Sequence, residues 1–263
     1  MCPTALITGA SQGIGKATAL LFARKGYNLV ITARTKDRLE SVAEEIRSLG
    51  TQALAITTDV SDRSAVEALV NLGIERFSQI DVLINNAGVC MTAPMAKTTI
   101  EDWQKIINVN LWGYIYTINT LLPHFIARKQ GKIINVGSFG GKIPLPNMTA
   151  YCTSKYAITG LTETLRIELE PQGIQVSGIH PSVTNSDFME RAVFRDSDPE
   201  QMKQMLSSPL TSQPEDVAKA IWDAVKHSQA EVIVGSAKVP TVLHRLFPGI
   251  TQGMMQLANK ATQ

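Results

Sequence analysis

In the stretch YCTSK a phenol, Tyr151, stands four residues before an ammonium, Lys155, with only small residues between them. On a helix the two share a face, about one turn apart. An ammonium beside a phenol favours the phenolate and lowers a pKa that begins at about 10, which suits a group that gives and takes a proton. The pair alone decides little. The chain has five tyrosines, and a sequence of this composition carries such a pair by chance about one time in four.

A second chemistry lies in LITGASQGIG (6–15), where an apolar run passes into a helical pattern through Gly9, Gly13 and Gly15. Gly9 lets the chain leave a strand in a conformation other residues resist. Gly13 removes a side chain where a pyrophosphate meets backbone, and Gly15 lets the helix lie close to the sheet. The helix N-terminus then offers unpaired N–H groups and the positive end of its dipole to phosphates. With Ser11, Gln12 and Ile14 completing the cradle, the stretch reads as a dinucleotide site. The end of the second apolar run is ITARTKDRL, with Ala33 and Arg34 where an acid would meet a ribose 2′-hydroxyl. A guanidinium suits a 2′-phosphate, so the cofactor reads as NADP(H). Asp59, with Val60 beside it, is the candidate for the adenine edge; standing alone, Asp59 would read as a helix cap.

These groups need a scaffold that brings them together. Short β-rich runs occur at 4–8, 28–32, 52–57, 80–86, 132–138, 174–180 and 231–235, and helically spaced stretches such as 16–25, 37–49 and 63–77 lie between most of them. Several runs are continuously apolar, as strands covered on both faces are. Seven strands linked by helices predict an α/β fold with a parallel sheet, either an open doubly wound sheet or a barrel. The longest helical stretches are 100–128 and 150–170. The second stops before Pro171 and Gly173, which places Tyr151 and Lys155 in its first turns. No repeat or linker divides the chain, so residues 1–263 read as a single catalytic domain.

Composition excludes several classes. The formal net charge is +2 with no basic block, which argues against nucleic acid. Cys2, Cys90 and Cys152 are odd in number and far apart, as free thiols in a reducing compartment are. The four histidines form no close pair and no HExxH, so no metal site is expected. Neither a signal-peptide pattern nor an apolar run of about 20 residues is read, and the expected location is cytoplasmic with no transmembrane segment. The tail, 236–263, is fairly apolar but interrupted by Pro248 and Gly249. It reads as a helix packed on the domain or on a second subunit, or as an element that touches a membrane surface or covers the substrate.

Taken in order, TGASQGIG, NNAG (85–88), NVN (108–110), Ser138 and YCTSK make the chain resemble the short-chain dehydrogenase/reductase family over about residues 3–235. The resemblance implies a doubly wound Rossmann-type fold with a seven-stranded parallel sheet, hydride transfer at the nicotinamide C4 and a catalytic set of Asn110, Ser138, Tyr151 and Lys155. Tyr151 is then the general acid/base. Ser138, read as ending the fifth strand, donates to the substrate oxygen. Lys155 also holds the nicotinamide ribose, and Asn110 holds a water that relays protons. Asn86 and Gly88 line the cofactor, while Asn85 pins neighbouring backbone. Lowering a phenol by about three pKa units takes roughly 4 kcal/mol, so the positive charge of the oxidised nicotinamide and desolvation are expected to assist the lysine. A homodimer or homotetramer through helices 100–128 and 150–170 is also implied.

The family commonly shows Pro-Gly and then a hydroxyl residue after the sixth strand. Here HPSVTNSDF (180–188) has Ser182 in place of the glycine, and Pro181, Thr184 and Ser186 are assigned to the nicotinamide. Residues 187–210, with Phe188 and several methionines, read as a substrate lid suited to an apolar or acyl-like substrate. Val89, Cys90, Ile143, Pro144 and Leu145 are pocket candidates. No catalytic thiol is expected, because no histidine base falls beside a cysteine. The chain thus reads as an NADPH-dependent carbonyl reductase, or secondary-alcohol dehydrogenase, acting on a small-molecule ketone or aldehyde, with 3-oxoacyl thioesters one option. The alternatives are a catalytically vestigial NADP-binding sensor or scaffold, and a membrane-associated lipid-ketone reductase.

Overall fold

The computed structural model describes residues 2–185, 188, 192–195 and 211–261. Its main sheet has seven parallel strands: β1 (Thr4–Thr8), β2 (Asn28–Ala33), β3 (Ala53–Thr57), β4 (Val82–Asn85), β6 (Gly131–Val136), β7 (Ile174–Pro181) and β9 (Glu231–Val234). Their order is β3-β2-β1-β4-β6-β7-β9. A separate parallel pair joins β5 (Met91–Thr92) to β8 (Val193–Phe194). The described helices are α1 (Gly13–Arg24), α2 (Lys36–Ser48), α3 (Arg63–Phe77), α4 (Ile100–Ile107), α5 (Gly113–Arg128), α6 (Thr149–Leu169), α7 (Pro214–His227), α8 (Lys238–Leu246) and α9 (Pro248–Ala261).

The continuously apolar strands follow from cover on both faces. Ile7, Ile31, Ile84 and Ile134 point into a core with Phe22 of α1, Val42 of α2 and Ile221 of α7. Their chain neighbours Leu6, Val30, Leu83 and Ile133 point the other way, against Leu69 of α3, Leu121 and Phe125 of α5 and Leu169 of α6. Because side chains alternate along a strand, both sets must be apolar. A buried polar network crosses the sheet centre: Thr117 Oγ1 donates to Asn85 Oδ1 at 2.6 Å, Asn85 Nδ2 to Asn135 Oδ1 at 3.0 Å, and Asn135 Nδ2 to Thr162 Oγ1 at 3.0 Å. Asn85 therefore pins side chains rather than the expected backbone. The strand order reverses between β1 and β4, where such folds open a crevice at the carboxyl ends of their strands.

Three expectations change in detail. The stretch 100–128 is interrupted by a π-helical turn, Asn108–Trp112, between α4 and α5. The strand expected to reach Ser138 ends at Val136, and Ser138 instead caps a short 3-10 turn, Phe139–Gly141. The tail is two helices broken at Phe247–Pro248, not one helix laid on the domain; α9 packs chiefly on α8, and α8 on the Gly235–Ala237 turn before it. Pro248 has no N–H to continue the ladder. Among the described residues no helix is long and apolar enough to cross a membrane.

Candidate active site

The first turn of the site is built by glycine. Gly9 leaves β1 at φ +68°. A Cβ on Gly15 would lie 2.2 Å from the Gly9 carbonyl oxygen and 2.7 Å from Asn86 Nδ2, so α1 can rise this close only without a side chain. Asn86 holds the turn from the other side, its Nδ2 donating to the carbonyls of Thr8 at 3.0 Å and Gly9 at 3.2 Å. Thr8 Oγ1 accepts from the N–H groups of Asn86 and Ala87. Thus Asn86 secures the backbone that the sequence assigned to Asn85. No side chain caps α1 and no acid lies in its first turn, which leaves its first N–H groups to another acceptor. Gln12 accepts from Arg38 Nη1 at 2.6 Å, while its buried Nε2 has no partner among the described residues. An uncapped helix start, a tightly packed glycine turn and an orphaned donor together fit the phosphates of a dinucleotide.

Arg34 is exposed just past β2 and lines an open cleft with Gly88, Val89, Cys90, Met91, Asp102, Lys105, Ile106, Phe188 and Val193. Arg38, four residues on and hydrogen-bonded to the glycine turn, is a second guanidinium that sequence reading passed over, although its i+4 spacing from Arg34 was visible. Asp59 Oδ1 accepts from the N–H and hydroxyl of Ser61 at 2.9 and 2.7 Å. The cap of α3 is Asp62. Val60 is buried against Val66 and Val109, so its side chain belongs to the core.

The remaining groups lie behind Gly88 of this cleft. Tyr151 and Lys155, in the first turns of α6, are both buried; Ser138, whose Oγ accepts from the Gly140 N–H at 3.1 Å, stands beside the Tyr151 side chain and draws its pKa down. Lys155 Nζ donates to the Val136 carbonyl at 3.0 Å, an acceptor it shares with the hydroxyl of Tyr114 at 2.9 Å. Its ammonium lies 5.9 Å from the Tyr151 ring centroid. A Cβ on Gly88 would come within 3.4 Å of Asn110 Oδ1 and 3.8 Å of Lys155 Nζ. Asn110 is fully buried in the π turn: Oδ1 accepts from Val89 N–H at 2.8 Å, and Nδ2 donates to the Val89 carbonyl at 2.9 Å and Ser154 Oγ at 3.0 Å. The Phe188 ring lies 6.3 Å from that of Tyr151.

Burial dominates the electrostatics. Desolvation raises Tyr151 above its ordinary value, against a smaller lowering by the Ser138 hydrogen bond. Desolvation, expected above to help form the phenolate, does the reverse, because it penalises the charged form of an acid. The same effect pulls the Lys155 ammonium down to about 8 and pushes the Cys90 thiol up to about 12. Cys90 is accordingly a buried thiol lining the cleft, not a nucleophile.

Pro181 ends β7, and Thr184 bridges to Ser212. Ser182 Oγ lies 3.1 Å from Ser212 Oγ, so the serine in place of glycine ties this loop to the segment before α7. Ser186 and most of the 187–210 segment lie outside the described residues. Among the described residues no cluster of metal ligands occurs.

The fold and the Tyr–Lys–Ser cluster beside a glycine-rich helix start define a doubly wound α/β protein of the dehydrogenase kind. The model of short chain dehydrogenases matches residues 3–197, and the chain belongs to that family. It is 33% identical over 88% of its length to a 3-oxoacyl-[acyl-carrier-protein] reductase of Synechocystis, covering 92% of that protein. A short-chain dehydrogenase/reductase from Burkholderia phymatum in complex with NAD superposes with a TM-score of 0.82 at 26% identity, over 88% of each chain. A short-chain dehydrogenase from Sphingobium yanoikuyae in complex with NADPH gives 0.81 at 29% identity, over 97% of this chain and 95% of that one.

Proposed function

We propose that this oxidoreductase is an NADPH-dependent carbonyl reductase, able to run in reverse as a secondary-alcohol dehydrogenase. The observation that carries the reading is the buried Tyr151, beside Ser138 and one helical turn from Lys155, with its ring 6.3 Å from that of Phe188, which lines the same cleft as Arg34. NADPH, when bound, supplies hydride to the carbonyl carbon. Burial keeps Tyr151 neutral, the form that can donate a proton to the carbonyl oxygen. Ser138 donates to the same oxygen and fixes its place. Lys155, held by the Val136 carbonyl, returns a proton toward the tyrosine. Asn110 has its side chain committed to Val89 and Ser154, so a relaying water falls to its main-chain carbonyl.

The phosphates belong to the turn of Gly9, Ser11, Gln12, Gly13, Ile14 and Gly15. One neighbour carries NAD and another NADPH; what favours NADP(H) here is Arg34 with Arg38 beside it and no acid at the end of β2. The adenine edge falls to Asp59 and the backbone of Val60, and the nicotinamide to Gly88, Pro181, Thr184 and Ser186. Apolar lining by Val89, Met91, Ile106, Phe188 and Val193 suits an apolar ketone. The Synechocystis relative makes 3-oxoacyl thioesters the first class to try. The chain acts as a single-domain, cytoplasmic homo-oligomer. Consumption of NADPH and NADH should be followed with ketones, aldehydes, diketones and 3-oxoacyl thioesters, for wild type and Tyr151→Phe. NADPH-dependent turnover that disappears in the variant is expected. NADPH binding without turnover on any carbonyl would favour the sensor reading.

A further inference from the structure

The tail presents an apolar surface for which carbonyl reduction has no use. On α8, Val239, Val242 and Leu246 recur at i, i+3 and i+7; on α9, Ile250, Met254 and Leu257 recur at i, i+4 and i+7. Each trio makes a stripe along one side of its helix. Phe247 stands at the bend between them. These seven side chains are between 53% and 76% exposed. An exposed patch of this kind on a soluble protein usually marks an interaction site.

Among the described residues nothing covers it. The inner sides of the two helices meet each other: Thr241 and Thr251 are buried, and the His244 ring is hydrogen-bonded to Thr251 Oγ1 at 2.5 Å. That contact fixes which sides face inward and leaves the stripes outside.

Charge identifies the occupant. Residues 236–263 hold Lys238, His244, Arg245 and Lys260 and no Asp or Glu. Lys238 and Arg245 are exposed on α8 beside its stripe. If two copies met here about a twofold axis, the patch would face itself, cation against cation, with no carboxylate of the segment to answer. Copies have another surface available, where Trp112, Ile126, Tyr156 and Ile167 are exposed on the π turn, α5 and α6. An anionic bilayer meets both requirements, taking the stripes into its acyl boundary and the cations among its phosphates. Helices of 9 and 14 residues are too short to span it.

We propose that α8 and α9 lie in the headgroup plane of a membrane containing anionic phospholipid, seated by these stripes and by Lys238 and Arg245. The proposal stands independently of the substrate. The test is flotation of the full chain with vesicles of phosphatidylcholine alone, or of equal parts phosphatidylcholine and phosphatidylglycerol. The protein is expected to float with the mixed vesicles, and less as salt is raised. Lys238→Gln and Arg245→Gln should each weaken binding about fivefold. Leu246→Glu with Leu257→Glu should abolish it while leaving the melting temperature and NADPH binding unchanged. Failure to float with either vesicle overturns the proposal, as does flotation that survives the double variant. Equal flotation with both vesicles overturns the assignment to anionic lipid. If light scattering shows that the double variant instead dissociates an oligomer that binds no vesicle, the surface is a contact between copies.

Discussion

At the scale of single residues, proton chemistry depends on how burial sets Tyr151 and Lys155. Tyr151→Phe removes the donor but keeps the ring, so kcat/KM should fall about 10²–10⁴-fold with NADPH affinity kept, as fluorescence titration would check. Lys155 loses its proton near pH 8, whereas Tyr151 stays neutral well above that. The sign follows: kcat/KM for NADPH, which reports the free enzyme, should decline as pH rises through about 8, and a profile flat to pH 10 would contradict it. Arg34→Ala should weaken NADPH binding about 10- to 100-fold and leave NADH nearly untouched, the loss of one charge-assisted contact to a phosphate. An equal effect on both cofactors would remove Arg34 from the 2′-phosphate.

Elements carry these residues, and here too a few groups decide. Gly15 packs so tightly on Gly9 that Gly15→Ala must push α1 from the sheet; a lower melting temperature together with loss of cofactor binding is expected. At the far edge, Glu231 of β9 pairs with His180 of β7 at 3.2 Å and with Lys142 after the 3-10 turn. The His180 hydrogen bond, followed by that of Lys142, holds the Glu231 carboxyl at about 2, below its ordinary 4.5. A depressed carboxyl stabilises the fold above its ordinary value and loses that contribution as pH falls from about 4.5 to about 2. Glu231→Gln should therefore lower the melting temperature at neutral pH and flatten its decline across that acid window. Parallel pH curves for the two proteins would show that the pair contributes nothing.

The architecture of the whole molecule was legible because its strands are continuously apolar and its helices periodic, and both patterns follow from burial on two faces. That Tyr151, Lys155 and Ser138 would lie together was legible from residue type and order; their catalytic role is what Tyr151→Phe tests. The pKa directions were not legible, since they depend on how completely the fold removes water from Tyr151. Nor was the side-chain network of Asn85, whose partners Thr117 and Asn135 are 32 and 50 residues away. The break between α4 and α5 was not read either, because its one marker, Gly113, is a single glycine inside a helical pattern, which helices tolerate. The apolar side chains exposed on the π turn, α5 and α6 are where the expected contact between copies can be tested. Light scattering should show a dimer or tetramer that Ile167→Glu with Trp112→Glu converts to monomer; a monomeric wild type would refute it.

The π turn at Asn108–Trp112 has a consequence of phase. Its ring closes from the Gly113 N–H to the Asn108 carbonyl, one residue wider than the α ladder. An α-helix turns about 100° per residue, so the extra residue sets the angle between the faces of α4 and α5. Length in this turn is therefore rotation. A variant lacking Leu111 could regain an unbroken ladder and keep its helical circular dichroism, yet it would swing Asn110 out of line with Val89 and Ser154 or displace the buried side of α5. It is expected to lose turnover while staying folded, as a key cut to the right depth fails when its teeth are clocked to the wrong angle.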